Sequence, residues 1–209
     1  MEFSRGFSRF VTPSALLAGS LSLVMLLQAD AAQAFSLTVL HNNDGESQLT
    51  ADGDEAGAAR FVSLVNSLQN DATTDGVITL SSGDNFLAGT AFDASLKDGI
   101  FYDVGVLNAI GYDAIALGNH DFDFGPDVLA DFITSPEWTN PVAYLSANID
   151  FSGEQVLDDL FVAGTVNGDA LTSNVISESA IFEKGGEQIG VVSAITEGLA
   201  SISSPRDAE

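Results

Sequence analysis

Along this chain the apolar positions switch repeatedly between a period of two and a period near four. Ser36-Leu37-Thr38-Val39-Leu40 is a short β-prone run that ends in a polar loop, Asn42 to Gln48. From Glu55 to Leu68 the apolar residues Ala58, Phe61, Val62, Val65 and Leu68 recur at helical spacing. Val77 to Leu80 predicts a second, buried strand, followed at once by Ser81-Ser82-Gly83-Asp84. Phe101 to Ile110 predicts a second helix, with Gly111 just past its end. Ala114 to Leu117 predicts a third strand, capped by Gly118-Asn119-His120-Asp121. Asp127 to Ile133 predicts a third helix halted before Pro136, and Val142 to Ala147 a fourth strand. Strand alternating with helix is the mark of a mostly parallel sheet covered by helices, so the fold class is α/β. Beyond Phe151 the pattern changes. Phe161 to Gly164 is a short, weak strand, and Ser177 to Phe182 with Ile189 to Ile195 flank the turn Lys184-Gly185-Gly186-Glu187 as a β-hairpin. The last residues, Ser201 to Glu209, are polar and supply no closing element, so the expected architecture stops midway.

The N-terminus belongs to a different pattern. Arg5 and Arg9 precede an apolar run from Ala15 to Leu27, which is followed by Ala32-Gln33-Ala34. A basic start, a short apolar middle and an A-x-A site make a secretory signal of residues 1–34, with a mature chain from Phe35. The run is interrupted by Gly19, Ser20 and Ser22 and is 13 residues long, whereas a membrane span needs ~20. The expectation is a secreted protein, periplasmic or extracellular, with no membrane association after cleavage. Composition narrows the class further. Thirty Asp and Glu stand against six Lys and Arg, a formal charge of -24. Such a chain has no basic surface for a nucleic-acid polymer or an anionic lipid face. It holds no Cys, which excludes disulfides, thiolate zinc sites, iron–sulfur clusters and Cys nucleophiles.

Chemistry gathers where the early strands end. Asp44 and Glu46 follow the first strand, Asp84 the second, and Asn119, His120, Asp121 and Asp123 the third. In open α/β sheets, ligands bind outside the carboxyl ends of the strands, so these loops should meet in one crevice. Several carboxylates in one crevice repel unless cations lie between them, which suggests a divalent metal site.

The segments Leu37-Thr38-Val39-Leu40-His41-Asn42-Asn43-Asp44, Ser82-Gly83-Asp84 and Gly118-Asn119-His120-Asp121-Phe122-Asp123 resemble the successive motifs of calcineurin-like metallophosphoesterases. They are most similar to the secreted 5′-nucleotidase branch, and the similarity runs on through Leu145-Ser146-Ala147-Asn148 to the final hairpin. The resemblance implies a layered sheet-and-helix sandwich spanning residues 35–209, truncated at its C-terminal end. It implies hydrolysis of phosphomonoesters, nucleotides among them, by hydroxide formed on two divalent metal ions, with zinc, manganese, magnesium and calcium all open. Asp44 and Glu46 would hold the first metal, Asp84 would bridge the two, and Asn119 would hold the second. His120 would face the substrate and Asp123 would orient it. Asp44-Gly45-Glu46 stands where the family has Asp-x-His; Glu46 either replaces that His as a ligand, its longer, charged arm suiting harder ions than imidazole does, or points away, and the ligand reading is the one favoured. The family takes further His ligands from later loops, and after His120 this chain has none. The competing reading is therefore a truncated, non-catalytic metal- or phosphate-binding remnant.

Most other acids read as solvated surface. Asp52-Gly53-Asp54-Glu55 lacks the spaced ligands of an EF-hand and reads as a polar loop before a helix. Asp121 suits loop stabilisation as well as substrate contact, and His41 reads as structural. No Gly-rich nucleotide-cradling loop is present.

Overall fold

Parallel pairing builds most of the sheet, as the alternation of periods requires. The computed structural model describes residues 34–53 and 56–209; the expected signal sequence lies outside them except for Ala34. Strand β1 (Leu37–Asn42) leads to helix α1 (Gly57–Asp71), then β2 (Gly76–Ser81), α2 (Thr90–Asp98), α3 (Tyr102–Ile110) and β3 (Ala114–Ala116). A 3-10 turn at His120–Phe122 precedes α4 (Pro126–Ile133) and β4 (Ala143–Leu145). The remainder is α5 (Gln155–Asp158), β5 (Phe161–Asn167), β6 (Val175–Lys184), β7 (Glu187–Val192) and the single turn α6 (Leu199–Ile202). The seven strands form one sheet in the order β1-β2-β3-β4-β6-β5, with β7 paired to β6. Every pairing is parallel except β6 with β7. That antiparallel pair is the expected hairpin, Lys184 lying opposite Glu187.

Four elements differ from the sequence expectation: α2 and the single turns α5 and α6 lie outside the expected elements, and β5 is longer. Helix α2 had no periodic signal, because Phe92 is its one large buried apolar side chain and Leu96 is exposed. Strand β5 runs three residues beyond Gly164, past a register shift between Val162 and Thr165 that lets it rejoin β6. The closing residues also pack, contrary to expectation: Ala208 is buried and Glu209 N–H donates to Asp150 O at 3.0 Å.

Side-chain alternation splits the core between the two faces of the sheet. Ile115, Tyr144 and Ile176 belong to the larger apolar cluster, together with Val65, Phe92, Val104, Leu129, Leu157 and Leu199 from the helices. Their neighbours Ala114, Ala143 and Leu145 join Ile78, Ala180 and Phe182 in a smaller cluster on the opposite face. In the larger cluster, Phe86 stacks on Phe92 at 4.8 Å and lies 4.5 Å from Phe132. Phe86 and Phe122 are wholly buried. Each anchors the polar loop beside it, Asp84 on one and His120 to Asp123 on the other. Burial thus fixes the chemistry-bearing loops from within the hydrophobic core.

Candidate functional site

The loop after β1 lies along the segment after β2 as an irregular ladder. Asp44 N–H donates to Gly83 O (3.2 Å), Glu46 N–H to Asp84 O (3.0 Å) and Ser47 N–H to Asn85 O (3.2 Å). The turn after β3 is tied to the same segment, since His120 N–H donates to Asp84 Oδ1 at 2.6 Å. Behind them sits Asp121, 2% exposed. Its Oδ2 accepts from Gly118 N–H (2.8 Å) and Asp84 N–H (3.2 Å), so one carboxylate braces two loops. Burial pushes that carboxyl up to about 7.

Close nesting needs residues without a Cβ. A Cβ on Gly118 would overlap the Asp84 carboxylate, and one on Gly83 (φ +91°) would overlap the Gly118 backbone. Four non-glycine residues in the loops after β1 and β2 adopt left-handed backbone: Asp44 (φ 53°), Glu46 (45°), Ser47 (54°) and Asp84 (52°). Such strain, of order 1–3 kcal/mol per residue, persists where the surroundings over-determine the loop and is concentrated at functional sites.

Charge follows from this packing. Asp84 is half-buried and its carboxyl is raised, first by desolvation and further by the charges of Asp44 and Asp123, against the lowering influence of the His120 N–H and ring. His120 is raised above the ordinary imidazole value, chiefly by its hydrogen bond to Asp123, and by attraction to Asp84 and Glu46. The bond joins His120 Nδ1 to Asp123 Oδ2 at 2.7 Å, and Ser203 Oγ donates to Asp123 Oδ1 at 2.8 Å. Asn119 opens the 3-10 turn, its carbonyl accepting from Phe122 N–H.

The loops carrying Asp44, Glu46, Asp84, Asn119, His120 and Asp123 therefore adjoin one another. Among the described residues, no three His, Asp or Glu side chains are drawn into an ion-binding group. The donor chemistry nevertheless suits a hard divalent cation. Three carboxylates and an amide carbonyl lie on adjoining loops, and Asp84 is a partly desolvated acid flanked by the charges of Asp44 and Asp123, which a cation would offset.

Two contributors escape a reading of the sequence. Asp121 could be picked out only as part of the Gly118–Asp123 run, with its side chain free to point either way. Ser203 reaches Asp123 across 80 positions, and a lone Ser in a polar tail carries no signal.

No family model matches the chain. It is 30% identical over 188 residues to the trifunctional nucleotide phosphoesterase protein YfkN of Bacillus subtilis, covering 82% of this chain and 12% of that protein. It is 32% identical to the 5′-nucleotidase of Mus musculus, covering 87% of this chain and 30% of the relative. Among solved structures, the 5′-nucleotidase precursor of Thermus thermophilus superposes with a TM-score of 0.62 at 29% identity, over 83% of this chain and 31% of that one. The chain thus spans less than a third of the length of each of these proteins.

Proposed function

The chain belongs to the metallophosphoesterase 5′-nucleotidase family, and on that premise we propose that it serves the hydrolysis of phosphomonoesters, nucleotides first among them, outside the cytoplasm. The observation that carries the reading is the joining of three strand-end loops through Asp84, whose backbone meets Glu46 and whose carboxylate meets His120. Asp44, Glu46, Asp84 and the side-chain amide oxygen of Asn119 would hold divalent cations. When bound, such cations supply Lewis acidity toward phosphoryl oxygen and lower the pKa of water.

The residues of the chain supply the rest. Asp123 engages Nδ1 of His120 and favours the imidazolium, leaving Nε2–H as the donor to a phosphoryl or leaving-group oxygen. Ser203 fixes the far oxygen of Asp123 and so the plane of the ring. Export rests on the tripartite N-terminus. Among the described residues no helix is long and apolar enough to cross a membrane.

Hydrolysis of AMP and of p-nitrophenyl phosphate, with Mn²⁺ or Zn²⁺ added, tests the reading. Because Asn119 and a shared Asp84 are few ligands for a second ion, turnover of this chain should fall below the ~10 s⁻¹ of a typical enzyme. Whatever turnover occurs should drop at least about 100-fold in Asp84→Asn and in His120→Gln, the scale of a lost acid or electrostatic contact. Turnover that survives both substitutions would overturn the assignment.

A further inference from the structure

A cleft of about 310 Å³ opens where the loop leaving α4 meets the segment leading into β6. Pro141 and Asn174 in its wall precede β4 and β6, so it lies at the amino ends of the parallel strands, away from the crevice at their carboxyl ends. Its size is at the lower end of small-molecule sites. Thr134, Thr139, Asn140, Thr172, Ser173 and Asn174 line it with hydroxyl and amide groups, and Trp138 adds aromatic surface. Among the described residues no charged side chain takes part in the wall, although the sequence holds 30 acids and 6 bases. Two amide side chains hold the cleft in shape. Asn174 accepts from Val142 N–H (2.7 Å) and donates to Ile133 O (2.8 Å), tying the segment before β6 to α4 and β4. Asn108 of α3 donates to Glu137 O (2.7 Å) and accepts from both Thr139 N–H and Oγ1–H (3.1 Å each). Trp138 is pinned by Nε1–H donating to Phe132 O at 3.0 Å, which leaves ring carbons to face a ligand. Thr172 and Ser173 are exposed, and their hydroxyls have no hydrogen-bond partner among the described residues.

We propose that this cleft binds a neutral carbohydrate, one pyranose ring packing on Trp138 while its hydroxyls meet Thr172, Ser173 and Asn140. Hydroxyls and amides each donate and accept, which matches the mixed demands of a sugar edge. The negative face of an aromatic ring attracts the C–H face of a pyranose. An anion finds no base in this wall, and a net charge of -24 repels it. A cation finds no carboxylate there to pair with. The clamps of Asn108 and Asn174 preform the loops, so binding does not have to order them, a cost that a weakly held neutral ligand could not overcome. The site is separate from the crevice and stands whether or not the chain hydrolyses phosphoesters.

Trp138 is the only Trp in the sequence, so its fluorescence reports on this cleft directly. Titration of the full chain with methyl β-D-glucoside, whose equatorial hydroxyls leave an apolar C–H face, should change that emission saturably. Glucuronate, a similar ring bearing a carboxylate, should bind about tenfold more weakly or worse, and glycerol should not bind. Thr172→Ala/Ser173→Ala removes two hydroxyls that no fold contact uses. This double variant should keep the melting temperature and lose about tenfold or more in glucoside affinity, the scale of two neutral hydrogen bonds. Calorimetry on Trp138→Ala should detect no glucoside binding. Asp84→Asn should bind the glucoside as the wild type does, which separates this site from the crevice. A wild type that shows no glucoside binding by fluorescence and calorimetry would overturn the proposal. So would unchanged affinity in Thr172→Ala/Ser173→Ala, or glucuronate binding as tightly as the glucoside.

Discussion

Asp103 sits in the first turn of α3, and burial pushes its carboxyl up to about 6, against a smaller lowering from Ser47. An acid whose folded value lies above its unfolded value of 3.8 binds its proton more tightly in the native state. Stability therefore falls as pH rises through the window between about 4 and 6, and the loss persists above it. Two pH units correspond to about 3 kcal/mol at most. Replacing Asp103 by Asn removes the charge at nearly constant volume. In urea unfolding at pH 8 the variant should be more stable by roughly 1–3 kcal/mol, and the advantage should vanish near pH 4. Equal stability of the two proteins at pH 8 would show that the buried carboxylate finds compensation in the folded state. The difference between variant and wild type isolates this one group from the many surface acids that titrate in the same range.

Loops, more than strands, set the geometry of the site. Strand β3 is three residues long, and its loop nests against the one after β2 because Gly83 and Gly118 leave room for it. Gly118→Ala would drive a methyl into the Asp84 carboxylate and backbone. Overpacking of this kind costs about 1–3 kcal/mol, and here the yielding group is the one shared by all three loops. The variant should stay folded by circular dichroism yet lose Mn²⁺ affinity by about tenfold or more, as when a ligand's support is removed. Retained affinity would mean that Asp84 is not held where the nesting places it. This arrangement was legible beforehand as far as strand ends could be read: β1, β2 and β3 alternate clearly with helices, so Asp44, Asp84 and His120 could be placed on one edge. Helix α2 was not legible, since Phe92 alone supplies its apolar face. Nor was the role of Asp103, whose position in a helix's first turn looks like ordinary complement to the helix dipole. Its burial beside Asn85 arises only when α3 packs over the loop after β1, a contact between segments with no common period.

Across the whole molecule the charge is one-sided. Phe35–Glu209 is a single compact unit that contains 28 acids and only four bases, Arg60, Lys97, Lys184 and Arg206. Lys184 pairs with Asp113 at 2.5 Å, and Arg206 spans Asp127 and Glu154. With so few attractive pairs to lose, added salt should act mainly by screening repulsion. The melting temperature should therefore rise between ~0.02 and ~1 M NaCl, as the screening length falls from above 10 Å to about 3 Å. A gain of 1 kcal/mol would appear as roughly 2–8 °C. Specific cation binding adds a separable effect, because a ligand that binds only the folded state stabilises it by mass action. At matched ionic strength, MgCl₂ or MnCl₂ should raise the melting temperature beyond NaCl, and Asp84→Asn should abolish that excess while keeping the response to NaCl. A flat or falling NaCl curve would show that repulsion among the surface acids is not limiting. An excess that survives Asp84→Asn would move the cation away from the crevice and onto the general acidic surface.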